Sequence, residues 1–115
     1  MKVRYTLKKN SDFRRLYNKG KSAANPYMVI YCRRNGRDVN RLGYTVSTKL
    51  GHAVVRNRVR RRFREIYRLN SPALKKGWDI VVVARTRAVG ADYKKLNSAF
   101  MNACTQLSLV NEVSA

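Results

Sequence analysis

The feature that most constrains this chain is a run of six arginines within nine residues, inside the segment HAVVRNRVRRRFREIY. Apolar residues interrupt the run at intervals of four, four, three and one. They are Val55, Val59, Phe63, Ile66 and Tyr67. This spacing is typical of a helix with one buried stripe. It predicts a helix over about 53–69 whose cationic face is mounted on a folded scaffold.

The side of this helix that faces away from the apolar stripe carries Asn57, Arg61, Arg64 and Arg68. The planar fork of arginine can donate two hydrogen bonds to one phosphate. The amide of Asn57 can contact a base edge or a ribose hydroxyl. Like charges four residues apart repel one another when no partner is bound. Such a face therefore favours a polyanion as partner over a merely solvated surface.

The composition agrees with one small, strongly basic domain. The 115 residues carry a formal net charge of +20, and 44% of them are hydrophobic, which is enough for a packed core. Residues 1–68 hold 20 of the Lys and Arg side chains against 3 acids. We expect a single domain over 1–115, with flexible ends at 1–10 and 110–115. Nucleic acid, an anionic membrane surface and an acidic protein are the candidate partners at this point.

Several classes of protein are disfavoured by what the sequence lacks. No apolar run approaches the roughly 20 residues that span a bilayer, and the segment MKVRYTLKKN does not resemble a signal peptide. Cys32 and Cys104 have no metal-type spacing, so buried free thiols in a reducing, cytoplasmic setting are expected. His52 is the single histidine, and no nucleophile or zinc constellation can be assembled around it.

The rest of the pattern predicts two more helices and three strands around one sheet. A helix over 11–19 is expected to be capped by Ser11 or Asp12 and to end at Gly20. The strands are predicted at 27–32, 42–47 and 79–84, and the last helix at 93–109 with Asp92 as its cap. The uniformly apolar DIVVVA segment should be covered on both faces and lie centrally. The fold class is an α/β (α+β) two-layer sandwich, with one mixed sheet packed by helices.

A second surface is indicated by aromatic residues. Phe13 and Tyr17 share one face of the first helix, and Tyr31 lies on a strand. Antiparallel pairing of 27–32 with 42–47 would bring Thr45 and Ser47 beside Tyr31. These rings are either part of the core or the floor of a trough on which single-stranded bases stack. Periodicity alone leaves both alternatives open.

These segments resemble the protein subunit of bacterial ribonuclease P. The resemblance runs from LKKNSDFRRLYNKGKSAAN through LGYTVSTKLGHAVVRNRVRRRFREIYR to DIVVVAR, nearly the whole chain. Its most specific part is the order Arg56-Asn57-Arg58 followed by basic pairs at helical spacing. Tyr17 stands where the family often has phenylalanine, and Arg60 where lysine is also common.

The resemblance implies a fold and an activity. The arginine helix would form an unusual left-handed βαβ crossover between strands 42–47 and 79–84. The ribonucleoprotein would remove the 5′ leader of precursor tRNA by endonucleolytic hydrolysis. The RNA subunit and its Mg²⁺ ions would carry the chemistry, and the protein would supply no catalytic residue and no organic cofactor. The partners would be the catalytic RNA and precursor tRNA, with neither a membrane nor DNA expected.

The resemblance also implies residue roles. The catalytic RNA would be contacted by Arg56, Asn57, Arg58, Arg60, Arg61, Arg64 and Arg68. The leader groove would be lined by Phe13, Tyr17, Tyr31, Thr45, Ser47 and Lys49. Arg14 and Lys21 would add phosphate contacts.

Three other functions would account for parts of this sequence pattern. A small ribosomal protein or RNA chaperone would have the same charge and fold class. A DNA-binding protein could place the arginine helix in a major groove, but neither helix-turn-helix punctuation nor a dimerising heptad is present. A binder of anionic membranes needs a large exposed apolar face, whereas Val59, Phe63 and Ile66 are expected in the core.

Overall fold

The computed structural model describes residues 6–111, which form one four-stranded mixed sheet and three α-helices. The strands are β1 (Lys21–Ala24), β2 (Met28–Arg34), β3 (Arg41–Thr45) and β4 (Trp78–Ala84). The helices are α1 (Asn10–Lys19), α2 (Ala53–Asn70) and α3 (Tyr93–Gln106). The predicted α+β class, with one mixed sheet packed by helices, is confirmed. Within residues 6–111, no helix is long and apolar enough to cross a membrane.

The strand order across the sheet is β1-β2-β4-β3. β2 pairs antiparallel with both β1 and β4, and β3 pairs parallel with β4. The apolar β4 is central as predicted, and Ile80, Val81 and Val82 in it are completely buried. The expected pairing of 27–32 with 42–47 is wrong, because β4 lies between β2 and β3. A strand that is apolar on both faces gains most from this doubly covered position.

Helix α2 connects the parallel neighbours β3 and β4, as the predicted crossover requires. Its apolar stripe is confirmed, since Val59, Phe63 and Ile66 are the buried residues of the helix. The left hand of this crossover stays a prediction.

The two faces of the sheet have cores of unequal size. The larger core, on the side of α2 and α3, contains Ile30, Phe63 and Phe100. The smaller one, on the opposite side, packs Leu16 of α1 against Val81. Strand alternation explains the division, because successive residues of β4 point to opposite faces. α1 therefore covers part of the face that α2 and α3 leave open.

The ends of two helices differ from the predictions. α1 begins at Asn10 after Lys9, without a side-chain cap, so the predicted cap at Ser11 or Asp12 is wrong. The Asp92 cap of α3 is confirmed, because its carboxylate accepts a hydrogen bond from the backbone N–H of Lys94 at 3.3 Å. α3 ends at Gln106, earlier than predicted. Ser108 takes a positive φ of 59°, which turns the chain inward.

Parts of both terminal segments are packed on the fold, where flexible ends were expected. Leu7 is buried, and its N–H donates to the carbonyl of Leu42 at 2.9 Å. Val110 forms an antiparallel bridge with Leu74. The edge of β3 has free backbone groups, and an extended segment satisfies some of them. The expectation for 1–5 and 112–115 lies outside the described residues.

β1 was not predicted from the sequence. Its sequence, KSAA, contains no bulky apolar residue, and only Ala23 is buried. β1 follows Gly20 directly, and a Cβ at Gly20 would lie 2.6 Å from the carbonyl oxygen of Leu16. The chain therefore makes a close turn from α1 into the sheet edge, a feature that local propensity does not reveal.

Both cysteines are buried free thiols, as predicted. Burial raises the pKa of Cys32 to about 11 and that of Cys104 to about 12, from an ordinary value of 9.0. A folded-state pKa above the unfolded value gives stability that is complete below pH 9 and is lost as pH rises toward 11. We therefore expect urea unfolding midpoints to fall between pH 8.5 and pH 10.5.

The control for this effect is the double variant Cys32→Ala with Cys104→Ala. It removes the thiol contribution and should show a smaller fall over the same pH interval. An equal fall in the variant and the parent would contradict the assignment to the two thiols.

Candidate nucleic-acid interfaces

The arginine face of α2 is defined by Arg56, Arg58, Arg60, Arg61 and Arg64 together with Asn57. Arg58, Arg61 and Arg64 are exposed, while Arg56 and Arg60 are half-buried beside the apolar stripe. The amide oxygen of Asn57 accepts a hydrogen bond from Nη1 of Arg60 at 3.0 Å. In residues 6–111, none of these five arginines is ion-paired with a carboxylate. The charge of the face is therefore available to an external anion.

Arg56 stands out within the arginine face. Its Nε is buried and has no hydrogen-bond partner among residues 6–111. A buried donor without an acceptor costs roughly 1–3 kcal/mol. The guanidinium of Arg56 is thus positioned at the start of α2 by packing and not by an internal ion pair.

Two other arginines of α2 have partners inside the protein. Arg62 donates from Nη1 to the carbonyl of Ala91 at 2.8 Å and so ties α2 to the loop before α3. Arg68 contacts the carboxylate of Glu65 through two hydrogen bonds, at 2.6 and 3.2 Å. These bonds lower the pKa of Glu65. To contact RNA as predicted, Arg68 would have to leave Glu65 and pair with a phosphate instead. The Arg68–Glu65 pair is exposed and therefore weak.

On the other side of the sheet, Phe13, Tyr17, Tyr31 and Thr45 form a cluster that we call the aromatic trough. The ring centroids of Phe13 and Tyr17 are 6.5 Å apart. Tyr17 meets Tyr31 edge to face, with centroids 5.0 Å apart. The hydroxyl of Tyr17 is 2.9 Å from Oγ1 of Thr45, within hydrogen-bond distance. Thr45 thus reaches the rings through Tyr17 across β4, and not through the strand pairing expected from sequence.

Gly43 contributes to the trough, a role that was not predicted from the sequence. A Cβ at this position would lie 2.8 Å from two ring carbons of Phe13. Only a residue without a side chain lets Phe13 rest on β3 at this distance. A glycine inside a strand is a recognised sign of close approach, and that signal was present in LGYT.

The trough rings combine core packing with exposure. Phe13 and Tyr31 are half-buried and pack on the cluster of Leu7, Leu16 and Val81. Tyr17 is 39% exposed. Phe13 and Tyr31 therefore belong partly to the core, and Tyr17 is the most accessible of the three rings.

The remaining predicted groove residues lie outside this cluster. Ser47 and Lys49 follow β3 in the turn that leads to α2, and both are exposed. Oγ of Ser47 accepts from the N–H of Lys49 at 3.1 Å, so Ser47 caps that turn. Arg14 on α1 and Lys21 at the start of β1 are exposed as well. They can extend the positive rim but are not part of the ring contacts.

These features define a class of protein: a small basic α+β domain whose one sheet separates an arginine-faced helix from an aromatic trough. Both surfaces suit a polyanion, and they lie on opposite sides of the sheet.

Comparison with known proteins identifies the family. The sequence model of the Ribonuclease P family matches residues 1–108. The chain is 46% identical over 111 residues to the ribonuclease P protein component of Alkaliphilus oremlandii, which covers 96% of this chain and 97% of that relative. It is 48% identical over 97 residues to the component from Clostridioides difficile, covering 84% and 85% of the two chains. This protein belongs to the ribonuclease P protein family.

Solved structures of similar sequence show the same fold. The RNase P protein of Staphylococcus aureus superposes with a TM-score of 0.85 at 35% identity, covering 95% of this chain and 100% of that one. The RNase P protein of Thermotoga maritima gives 0.81 at 34% identity, with the same coverage. The four-stranded mixed sheet with its packed helices is thus the fold of this family.

Proposed function

We propose that this chain is the RNA-binding protein subunit of ribonuclease P. It binds the catalytic RNA through the arginine face and the 5′ leader of precursor tRNA through the aromatic trough. It thereby assists endonucleolytic removal of the leader in the cytoplasm. The observation that carries the proposal is the placement of these two chemically different surfaces on opposite sides of one sheet. Two RNA segments can then be held at once without competing for the same residues.

The arginine face suits the backbone of a folded RNA. Its five guanidiniums extend along about two turns of a helix that the core holds rigidly. Bidentate donors on a rigid element match phosphate oxygens, and the free amide N–H groups of Asn57 can reach a ribose hydroxyl. Binding would relieve the repulsion between neighbouring arginines, since phosphates neutralise them.

The trough suits a single strand. Stacking on aromatic rings accepts any base, because every base has a π-face, and a leader varies in sequence. The hydroxyls of Tyr17 and Thr45 can donate to and accept from the same strand. Lys49, Arg14 and Lys21 would contribute phosphate contacts around the rim.

The chemistry is assigned to the RNA subunit and Mg²⁺. Among residues 6–111, no group of three His, Cys, Asp or Glu side chains is close enough to hold a metal ion. No reaction step is therefore assigned to the side chains of this chain. RNA phosphates are the natural ligands for such an ion, and the role of the protein is to position its RNA partners.

The decisive experiment adds the full chain to its cognate catalytic RNA at low Mg²⁺ and follows cleavage of a precursor tRNA with a leader. We expect site-specific release of the leader with both components present. The protein by itself should leave the precursor intact. Site-specific cleavage by nuclease-free protein alone would contradict the assignment of the chemistry to RNA.

The cleavage assay and a competition with duplex DNA separate the proposal from its rivals. A ribosomal protein or RNA chaperone would leave leader removal by the catalytic RNA unchanged. A DNA-binding protein would prefer duplex DNA over the catalytic RNA in direct competition. Stimulation of leader removal, with no preference for DNA, is the result expected here.

A further inference from the structure

A basic hollow lies at the β1 edge of the sheet, away from both surfaces described above. It has a volume of about 450 Å³ and lies between the turn that joins β1 to β2 and one face of α3. Another hollow adjoins it and shares residues 24–26. We call the two together the α3 groove. α3 separates it from the arginine face, and the sheet separates it from the trough.

The turn that forms one wall of the α3 groove is fixed in place. The side-chain oxygen of Asn25 accepts from the N–H groups of Tyr27 and Met28, at 2.9 and 3.1 Å. Its Nδ2 donates to the carbonyl of Ala99 on α3 at 3.1 Å. One asparagine thus holds the turn against the helix, so the groove is a preformed feature of the fold.

The other wall is a polar stripe on α3. Four residues repeat at intervals of four along one helix face, namely Lys94, Ser98, Asn102 and Gln106. The side chains of Ser98, Asn102 and Gln106 form no hydrogen bond within the protein among residues 6–111. Ala99 and Ala103 leave the floor between the walls free of bulk. The stripe extends over about 18 Å at 1.5 Å per residue.

The charge of the α3 groove has one sign. Lys94 and Lys95 line the main hollow, and Arg85 and Arg87 line the adjoining one. None of the four is ion-paired within the described part of the chain, and neither lining includes a carboxylate. These are four of the six basic residues in 69–115. The less basic part of the chain therefore concentrates its positive charge at this groove.

We propose that the α3 groove is a further binding site for single-stranded RNA. The lysines and arginines contact phosphates, and Ser98, Asn102 and Gln106 contact ribose hydroxyls and base edges. At the stacked spacing of about 3.4 Å per nucleotide, an 18 Å stripe accommodates about five nucleotides, and an extended strand covers it with fewer. The floor of the groove is apolar, and Tyr27 lines it beside Pro26 and Ala99. An aromatic ring beside cations suits a stacked base and its phosphate. The single sign of the charge, with no carboxylate in the lining, favours RNA over a protein partner.

The test is a titration of the full chain, labelled with ¹⁵N, with a five-nucleotide oligouridylate, followed by NMR. The side-chain amide signals of Asn102 and Gln106 report on the α3 groove alone, so binding at the arginine face or the trough does not obscure the result. We expect both signals to shift and to saturate. Unchanged signals at an oligouridylate concentration of about 1 mM, above the usual range of non-specific dissociation constants, would overturn the proposal.

Charge-matched variants show whether the groove lysines act locally. In Lys94→Ala with Lys95→Ala, the apparent Kd measured from Asn102 and Gln106 should rise about three- to tenfold. Lys8→Ala with Lys9→Ala removes the same charge beside α1, on the opposite face of the sheet, and should change that Kd less than twofold. Equal rises in the two variants would mean that only the general field of the protein acts there, and would refute a site.

A short polyglutamate peptide tests the rival partner. It should leave the Asn102 and Gln106 signals in place at concentrations where the oligouridylate shifts them. Equal shifts with the peptide would replace RNA by an acidic protein segment as the occupant. The cleavage assay with catalytic RNA is independent of this outcome, so the proposed function and the α3 groove can fail separately.

Discussion

Replacing Arg61 and Arg64 together with alanine should weaken binding of the catalytic RNA steeply while the fold stays intact. Both side chains are exposed on α2, and the helix is anchored by the buried Val59, Phe63 and Ile66. Each phosphate contact contributes roughly 0.7–0.9 to the slope of log affinity against log salt. The double variant should therefore show a slope up to about two units shallower than that of the parent chain.

Two controls give this result its meaning. Lys75→Ala with Lys76→Ala removes the same charge elsewhere and should leave most of the slope unchanged. Arg62→Ala loses the hydrogen bond to the carbonyl of Ala91 and should lower stability by about 1 kcal/mol, with a smaller effect on RNA binding. An Arg61/Arg64 variant that unfolds, or one with the parent slope, would contradict the proposed orientation of the arginine face.

Replacing Tyr17 with alanine should weaken binding of leader-bearing precursor by about 1–3 kcal/mol, the value of one lost base stack. Mature tRNA, which has no leader, should bind the holoenzyme almost as before. Tyr17 is the ring to test because it is 39% exposed and connects Tyr31 to Thr45. The measurement compares the two RNA affinities for one variant reconstituted with catalytic RNA.

Tyr17→Phe is the matched control for this prediction. It retains the ring and removes the hydroxyl near Thr45, so most of the leader affinity should remain. Tyr31→Ala tests the half-buried ring and should also lower the melting temperature, because it opens space above Val81. Equal losses for both RNAs, together with a large fall in melting temperature, would place the altered ring in the core.

Local periodicity was sufficient for much of the fold. The spacing of Val59, Phe63 and Ile66 predicted which side of α2 is buried, and so which arginines face outward. The uniformly apolar DIVVVA segment predicted the central strand. In both cases the information is carried by neighbouring residues, because the helix and strand repeats determine which side chains share a face. The same holds for the Asp92 cap, which depends on one side chain and the next turn.

The sequence predicted only part of the arrangement of the two proposed RNA surfaces. The family resemblance named six groove residues, which are Phe13, Tyr17, Tyr31, Thr45, Ser47 and Lys49. The fold places the first four together, whereas Ser47 and Lys49 lie in the turn after β3. The resemblance did not indicate that Tyr17 would make the link to Thr45. That contact joins α1 to a strand 28 residues away.

Other features were decided by the tertiary structure alone. β4 lies between β2 and β3, KSAA forms an edge strand, and Arg62 donates to the carbonyl of Ala91. Each depends on which distant backbone group is brought close when the fold assembles. Sequence spacing specifies the face on which a side chain lies. Only the order and register of the strands specify what that face meets.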